Sequence, residues 1–264
     1  MRILKRLLKE ADGSLEMIFS KAFSEKNKKF EIEDAVILGF FEDMVRKIDS
    51  LISLLDAEKL VSIDLITRSI FESYIYLKLL LLKDRRLYAK SYIASQKMKE
   101  FSMFNSLIAE NKDGVKIRKL LGKRIEEIKI DIKFEAEEKL NKIQLQFSDV
   151  FEKRGKNQNW YNLDGKTKNF EQLCRKLDLV AEYELVYRIL SSEVHSMDVM
   201  KRWRFEPNQV YVLEGFTNNE MNISTVKKFL LEAINDLYTF YGLMKELKDF
   251  NVLLSLNYRL SRSK

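Results

Sequence analysis

The chain has little of what tight turns, disulfides and metal centres are made from. It holds 264 residues but one proline and eight glycines. A sandwich or barrel of many short strands needs a turn every ten residues or so, and has little here to build them from. Cys174 is the only cysteine, which excludes an intrachain disulfide and fits a reducing compartment. His195 is the only histidine, so one chain cannot supply a closed Cys/His zinc site. A Cys–His nucleophile pair would have to join Cys174 to His195, and nothing around Cys174 suggests activation. No glycine-rich phosphate loop is present. The most apolar stretch, Ile70 to Leu82, carries Glu72 and Lys78 and falls short of the ~20 apolar residues a bilayer span requires. The N-terminus alternates Lys and Arg with Leu and Ile, unlike a signal peptide. The expectation is a cytoplasmic protein that does not enter a membrane.

What is present favours helices. Hydrophobic residues make up 46% of the chain, enough for a sizeable core. Charged residues make up 33%, mostly Lys and Glu, which helix interiors tolerate. The net charge of +7 is compatible with a polyanionic partner without requiring one. The reading is a single all-α domain over 1–264 with an N-terminal helical extension over about 1–30. Helical spacing predicts Ile3 to Phe23, docked by Ile3, Leu4, Leu7 and Leu8 rather than laid on a membrane by Arg2, Lys5, Arg6 and Lys9. It further predicts Ile32 to Leu55, a central buried helix from Glu58 to Leu82, Arg85 to about Glu110, and a long charged helix from Val115 to about Phe151. A basic loop is expected over about 152–176, then a helix from Leu177 to about Arg204 ended by Pro207, and a last helix from Thr225 to Leu247. At most one short hairpin is expected, near Val210 to Phe216.

The lone histidine sets the candidate chemistry. On a straight helix Arg188 and His195, two turns apart, differ by only ~20° in direction and lie ~10.5 Å apart along the axis. Ser191 and Ser192 fall between them, and Arg202 lies one heptad further on. RNA carries its own nucleophile, the 2′-hydroxyl. A histidine titrating near neutrality can take that proton or protonate the leaving 5′-oxygen. An arginine can hold the phosphate and stabilise the charge of the transition state. Such a reaction requires no metal and no cofactor, and none is expected. The alternative is a hydrogen-bonded structural histidine on a mixed helix face.

Arg68 and Glu72 stand four apart on an otherwise apolar helix, with Asp64 one turn earlier. A buried charge is costly unless paired. Either the three form a ladder that fixes the packing of this helix, or Arg68 and Glu72 face the Arg188 helix and orient its side chains. Two segments mix cations with aromatic rings, a composition suited to neutralising a nucleic-acid backbone and stacking bases. The first holds Lys153, Arg154, Lys156, Trp160, Lys166 and Lys168; the second holds Lys201, Arg202, Trp203 and Arg204. For Trp160 the competing reading is a ring that plugs the core.

An Arg, six residues, then His, late in a basic helical chain, resembles the HEPN superfamily, whose motif is Arg, four to six residues, His. More specifically, the chain resembles an uncharacterised bacterial HEPN-like family that pairs an Arg…Glu helix with a later Trp…Tyr…Tyr-Arg…Ser…His block. Arg68 and Glu72 match the first element. Trp160-Tyr161, Tyr183, Tyr187, Arg188, Ser191 and His195 match the second. The resemblance covers roughly Ile63 to Ser196. It implies a multi-helix HEPN-like bundle and a metal-independent endoribonuclease, a toxin or phage-defence effector acting on RNA. It also implies a homodimer with a shared groove, and a possible antitoxin or defence-system partner. Arg188, His195, Ser191, Glu72 and Arg68 would form the catalytic set. The second hypothesis is a catalytically silent helical module that binds a protein or nucleic acid. Ile189, where the family often has a polar residue, and the lack of a second catalytic acid or base favour it.

Overall fold

Amphipathic spacing carries most of the chain into helix. The computed structural model describes residues 1–24, 29–154, 158–190, 203–212 and 219–258. Within them the fold is all-α, apart from one two-stranded antiparallel hairpin. The chain divides into two compact units, one made of Met1–Lys83 with Leu177–Lys264 and the other of Asp84–Lys176.

The first unit is built on α3 (Ile63–Leu80). Ile70, Phe71, Tyr74, Ile75, Leu79 and Leu80 on it are fully buried, because both α2 (Ile32–Asp56) and the long C-terminal helix α10 (Asn219–Phe240) pack against it. Phe229 of α10 stacks on Tyr74 with ring centroids 4.6 Å apart. A capping box starts α2, with the Glu31 N–H donating to Asp34 at 3.0 Å. Helix α1 (Arg2–Ala22) docks on α2 and α10 through Leu4, Leu7, Ala11 and Ile18. Of the expected anchors Ile3 is exposed, and its place is taken by residues further along the same stripe. After Gly242, which closes α10 at φ +71°, α11 (Met244–Tyr258) returns along α10 on Leu247, Phe250 and Leu254.

The second unit packs α4 (Arg85–Ile108) against α6 (Ile125–Gln146) and α7 (Ser148–Arg154) around Ala94, Ile143, Phe147 and Val150. The single long helix expected from Val115 to Phe151 is broken twice. Gly122 adopts φ +62° and ends α5 (Lys112–Leu120), with the Lys123 N–H donating back to the Arg118 carbonyl at 3.0 Å and the Gly122 N–H to Lys119 at 3.2 Å. A further turn at Phe147 separates α6 from α7. The expected loop over 152–176 also ends in helix: Phe170–Lys176 forms α8.

Back in the first unit, α9 (Val180–Glu182) passes without a break into a π-helical segment, Tyr183–Arg188. The hairpin that follows pairs β1 (Trp203–Glu206) with β2 (Gln209–Val212), so Trp203 and Arg204 lie in a strand and not in the helix expected to reach Arg204. Pro207 and Asn208 make its turn. Pro207 fixes φ negative and Asn208 is not among the positive-φ residues, so the turn is not one of the primed types. Among the described residues no helix is long and apolar enough to cross a membrane.

Candidate functional site

Two sequence blocks more than a hundred positions apart meet where α3 packs on the π-helical segment. Arg68 lies on α3 with its side chain only 13% exposed. Its Nη2 donates to the Tyr187 hydroxyl at 2.6 Å, and its guanidinium carbon stands 4.0 Å from the Tyr187 ring centroid. Tyr187 thus receives both a hydrogen bond and a cation–π contact from one cation. Tyr183 stacks on Tyr187 at 5.2 Å between centroids and 20° between planes. Residues four apart on a helical segment are neighbours on one face. The same geometry sets Glu184 beneath Arg188, with an ion pair of 3.0 Å.

Glu72 lies one turn along α3 from Arg68, its Oε1 3.3 Å from Arg68 Nε. Burial pushes the Glu72 carboxyl up from its ordinary value, and the charges of Arg68 and Lys47 oppose that without cancelling it. Lys47 belongs to a small network on α2 and α3. Its Nζ donates to Asp43 at 2.6 Å and to the Ser73 hydroxyl at 2.9 Å, and Ser73 donates to Asp43 at 2.7 Å. Arg68 Nε and Nη1, with Thr67 Oγ1 and Asn222 Oδ1, are buried without a hydrogen-bond partner. A guanidinium with an open N–H can donate it to an anionic group.

The ladder expected from Asp64 through Arg68 to Glu72 forms only in its second half. Asp64 instead accepts from Asn222 Nδ2 at 2.7 Å, joining α3 to α10. Arg188 is 71% exposed at the last residue of the π segment. Beyond Leu190 the span that was expected to set Arg188 and His195 on one face lies outside the described residues. Ser191, His195, Lys201 and Arg202 lie outside the described residues. Arg204 is exposed on β1, with Nε 3.4 Å from Glu206.

In the second unit Lys153, Lys166 and Lys168 are exposed, Arg154 closes α7, and Lys156 lies outside the described residues. Trp160 is only 8% exposed, edge-on to Tyr92 at 5.3 Å, and its carbonyl accepts from Ser91 at 2.6 Å. The ring is therefore a core residue of this unit. Asp164 organises the segment around it, accepting from the Lys166 and Thr167 N–H groups, the Thr167 hydroxyl and Lys176 Nζ. Among the described residues no three His, Cys, Asp or Glu side chains gather as metal ligands.

A model of a family of unknown function, DUF5677, matches residues 34–209, about two thirds of the chain. The chain belongs to this family. The matched span contains both blocks that meet at Arg68 and Tyr187, and it omits α1, α10 and α11. No curated protein and no solved structure matches the chain.

Sequence reasoning missed the Tyr187 hydroxyl as the partner of Arg68, the Lys47 network, and Asn222. A tyrosine four residues after another tyrosine and just before an arginine carried no signal of a π-helix. Lys47 and Asp43 stand at i,i+4, a spacing shared by many solvated helix pairs, and drew no attention.

Proposed function

We propose that the chain is a metal-independent endoribonuclease of HEPN type, acting in the cytoplasm as a toxin or phage-defence effector. The observation that supports this reading best is the bond between Arg68 and Tyr187. The Arg…Glu helix and the Tyr-Arg block are the two halves of the resemblance, and this contact joins them.

In this reading Arg188 holds the scissile phosphate. Its pairing with Glu184 is exposed, and pairs of that kind contribute little, so a phosphate can take the place of the carboxylate. His195 withdraws the 2′-hydroxyl proton or protonates the leaving 5′-oxygen. The 2′-oxygen attacks phosphorus, the bond to the 5′-oxygen breaks, and a 2′,3′-cyclic phosphate and a 5′-hydroxyl result. Ser191 lies between the two groups in sequence and hydrogen-bonds the phosphate. Arg68 and Glu72 orient the segment that carries Arg188. The exposed cations Lys153, Lys166, Lys168 and Arg204, with Arg154, Lys156, Lys201 and Arg202, neutralise the RNA backbone. A homodimer brings a second His195 to the groove, because an isologous interface meets itself and one chain has one histidine.

One observation favours the silent binding module instead. Arg188 already carries a carboxylate, and the residue after it, Ile189, is apolar and half exposed. Incubation of the purified protein with total RNA in EDTA separates the two. The ribonuclease reading expects cleavage that falls about a hundredfold or more in Arg188→Ala and in His195→Ala, with helix content kept. Intact RNA, or equal cleavage by wild type and His195→Ala, leaves the binding module.

A further inference from the structure

The hairpin displays apolar side chains that the fold does not use. Every residue from Trp203 to Tyr211 is exposed. Side chains alternate along a strand, so Trp203 and Phe205 share one face, and the register puts Val210 opposite Phe205 on that face. Trp203 is 43%, Phe205 63% and Val210 55% exposed. A lone two-stranded hairpin is marginal in water, and leaving its apolar face wet forgoes the burial that would support it. The other face carries Arg204, whose partner across the ladder is Tyr211.

We propose that Trp203 and Phe205 form a stacking platform for the bases of single-stranded RNA, an inference that rests on the RNA-directed reading above. Residues two apart on a strand have Cα atoms ~6.8 Å apart. That is about twice the ~3.5 Å contact distance between carbon atoms, so one flat ring fits between the two side chains. Every base offers such a ring, which makes the platform tolerant of sequence. The charge of the segment selects a nucleic acid over an apolar protein surface. Lys201, Arg202 and Arg204 accompany the rings against the single acid Glu206, in a chain of net charge +7. A duplex keeps its bases stacked inside, so the partner is a single strand or a loop.

The chain contains two tryptophans, and only Trp203 is exposed, since Trp160 is buried. Intrinsic fluorescence therefore reports on the platform directly. The test is titration with a short single-stranded DNA of mixed sequence, which lacks the 2′-hydroxyl and cannot be cut through it, beside its duplex and the RNA equivalent. The inference expects the long-wavelength emission of Trp203 to be quenched by the single strands and far less by the duplex. Trp203→Ala and Phe205→Ala should each weaken single-strand affinity about fivefold or more, with unchanged circular dichroism. Absence of quenching, affinity unchanged in both variants, or equal preference for duplex overturns it. So does a change of Trp203 emission with protein concentration alone, which assigns the face to a second copy. Undiminished RNA cleavage with unaltered binding by the variants removes the platform and leaves the nuclease reading. Quenching as expected without cleavage of any RNA keeps the platform and removes the nuclease.

Discussion

At Arg68 a charged group is held inside a helical seam by Tyr187 and Glu72. Removing the acceptor in Tyr187→Phe leaves a further donor of a nearly buried guanidinium unpaired, beside Nη1, which has no hydrogen-bond partner, and Nε, which has only its ion pair with Glu72. The expected loss is about 1–3 kcal/mol in urea denaturation, and a variant as stable as wild type would show that the bond is incidental. Glu72 adds a pH signature. Burial raises its carboxyl above the ordinary 4.5, so the folded chain keeps that proton to higher pH than the unfolded chain. Stability should therefore fall as pH rises from 4.5 through the raised value, and Glu72→Gln should lack that slope. Parallel stability profiles of the two proteins across this window would contradict the assignment. The sequence made Arg68 and Glu72 visible, because two charges on an apolar helix demand a reason. It did not reveal which way they faced. That depended on Tyr187, on the π-helical turn that aims it, and on Asn222 taking Asp64 away from the ladder.

At the scale of elements, the early helices were legible to within a few residues because their apolar stripes are regular and their ends carry signals. The reading from Ile32 to Leu55 meets a helix of Ile32–Asp56. The break at Gly122 was missed, and the helix before the hairpin was run on too far, for physical reasons that lie in single residues. Charged, helix-favouring composition on both sides of Gly122 concealed its role as the left-handed residue that stops α5. The β-branched and aromatic run around Pro207 pairs as a hairpin, where helical spacing had been extended to Arg204. The corner between α4 and α5 is tightly determined. A Cβ on Gly114 would stand 2.1 Å from the Ala109 carbonyl oxygen, and buried Arg118 donates to that same oxygen at 2.7 Å. Gly114→Ala is expected to cost about 3 kcal/mol, read as a shifted denaturation midpoint; an unshifted midpoint would mean that the corner opens without cost. The segment around Asp164 should be acid-sensitive. Burial pushes its carboxyl up, but the hydrogen bonds from Lys176, Lys166 and Thr167 outweigh that and hold it well below the ordinary 3.8. The stability this contributes is complete above 3.8 and is lost as pH falls below it. Asp164→Asn should be less stable than wild type near neutrality and should converge on it in acid. A gap between the two that persists at low pH would speak against this.

For the molecule as a whole, composition already decided the class: one proline and eight glycines in 264 residues leave long helices as the economical fold. The two-unit division was not read from the sequence, although the charged run Lys83 to Arg86 and the end of the expected basic loop at Lys176 both fall at its boundaries. The groove proposed to be shared between two copies predicts a dimer. Sedimentation at micromolar concentration should give twice the 31.4 kDa chain mass, and a fully active monomer would exclude a composite site. The central claim is that this chain cuts RNA through the RNA's own 2′-hydroxyl, with His195 moving the proton. Mass analysis of the new ends, after wild type and His195→Ala have acted on the same RNA in EDTA, tests it most directly. The account predicts 2′,3′-cyclic phosphate and 5′-hydroxyl ends from the wild type and essentially none from the variant. Ends bearing a 5′-phosphate, the same ends in equal yield from His195→Ala, or RNA left intact by both would contradict it.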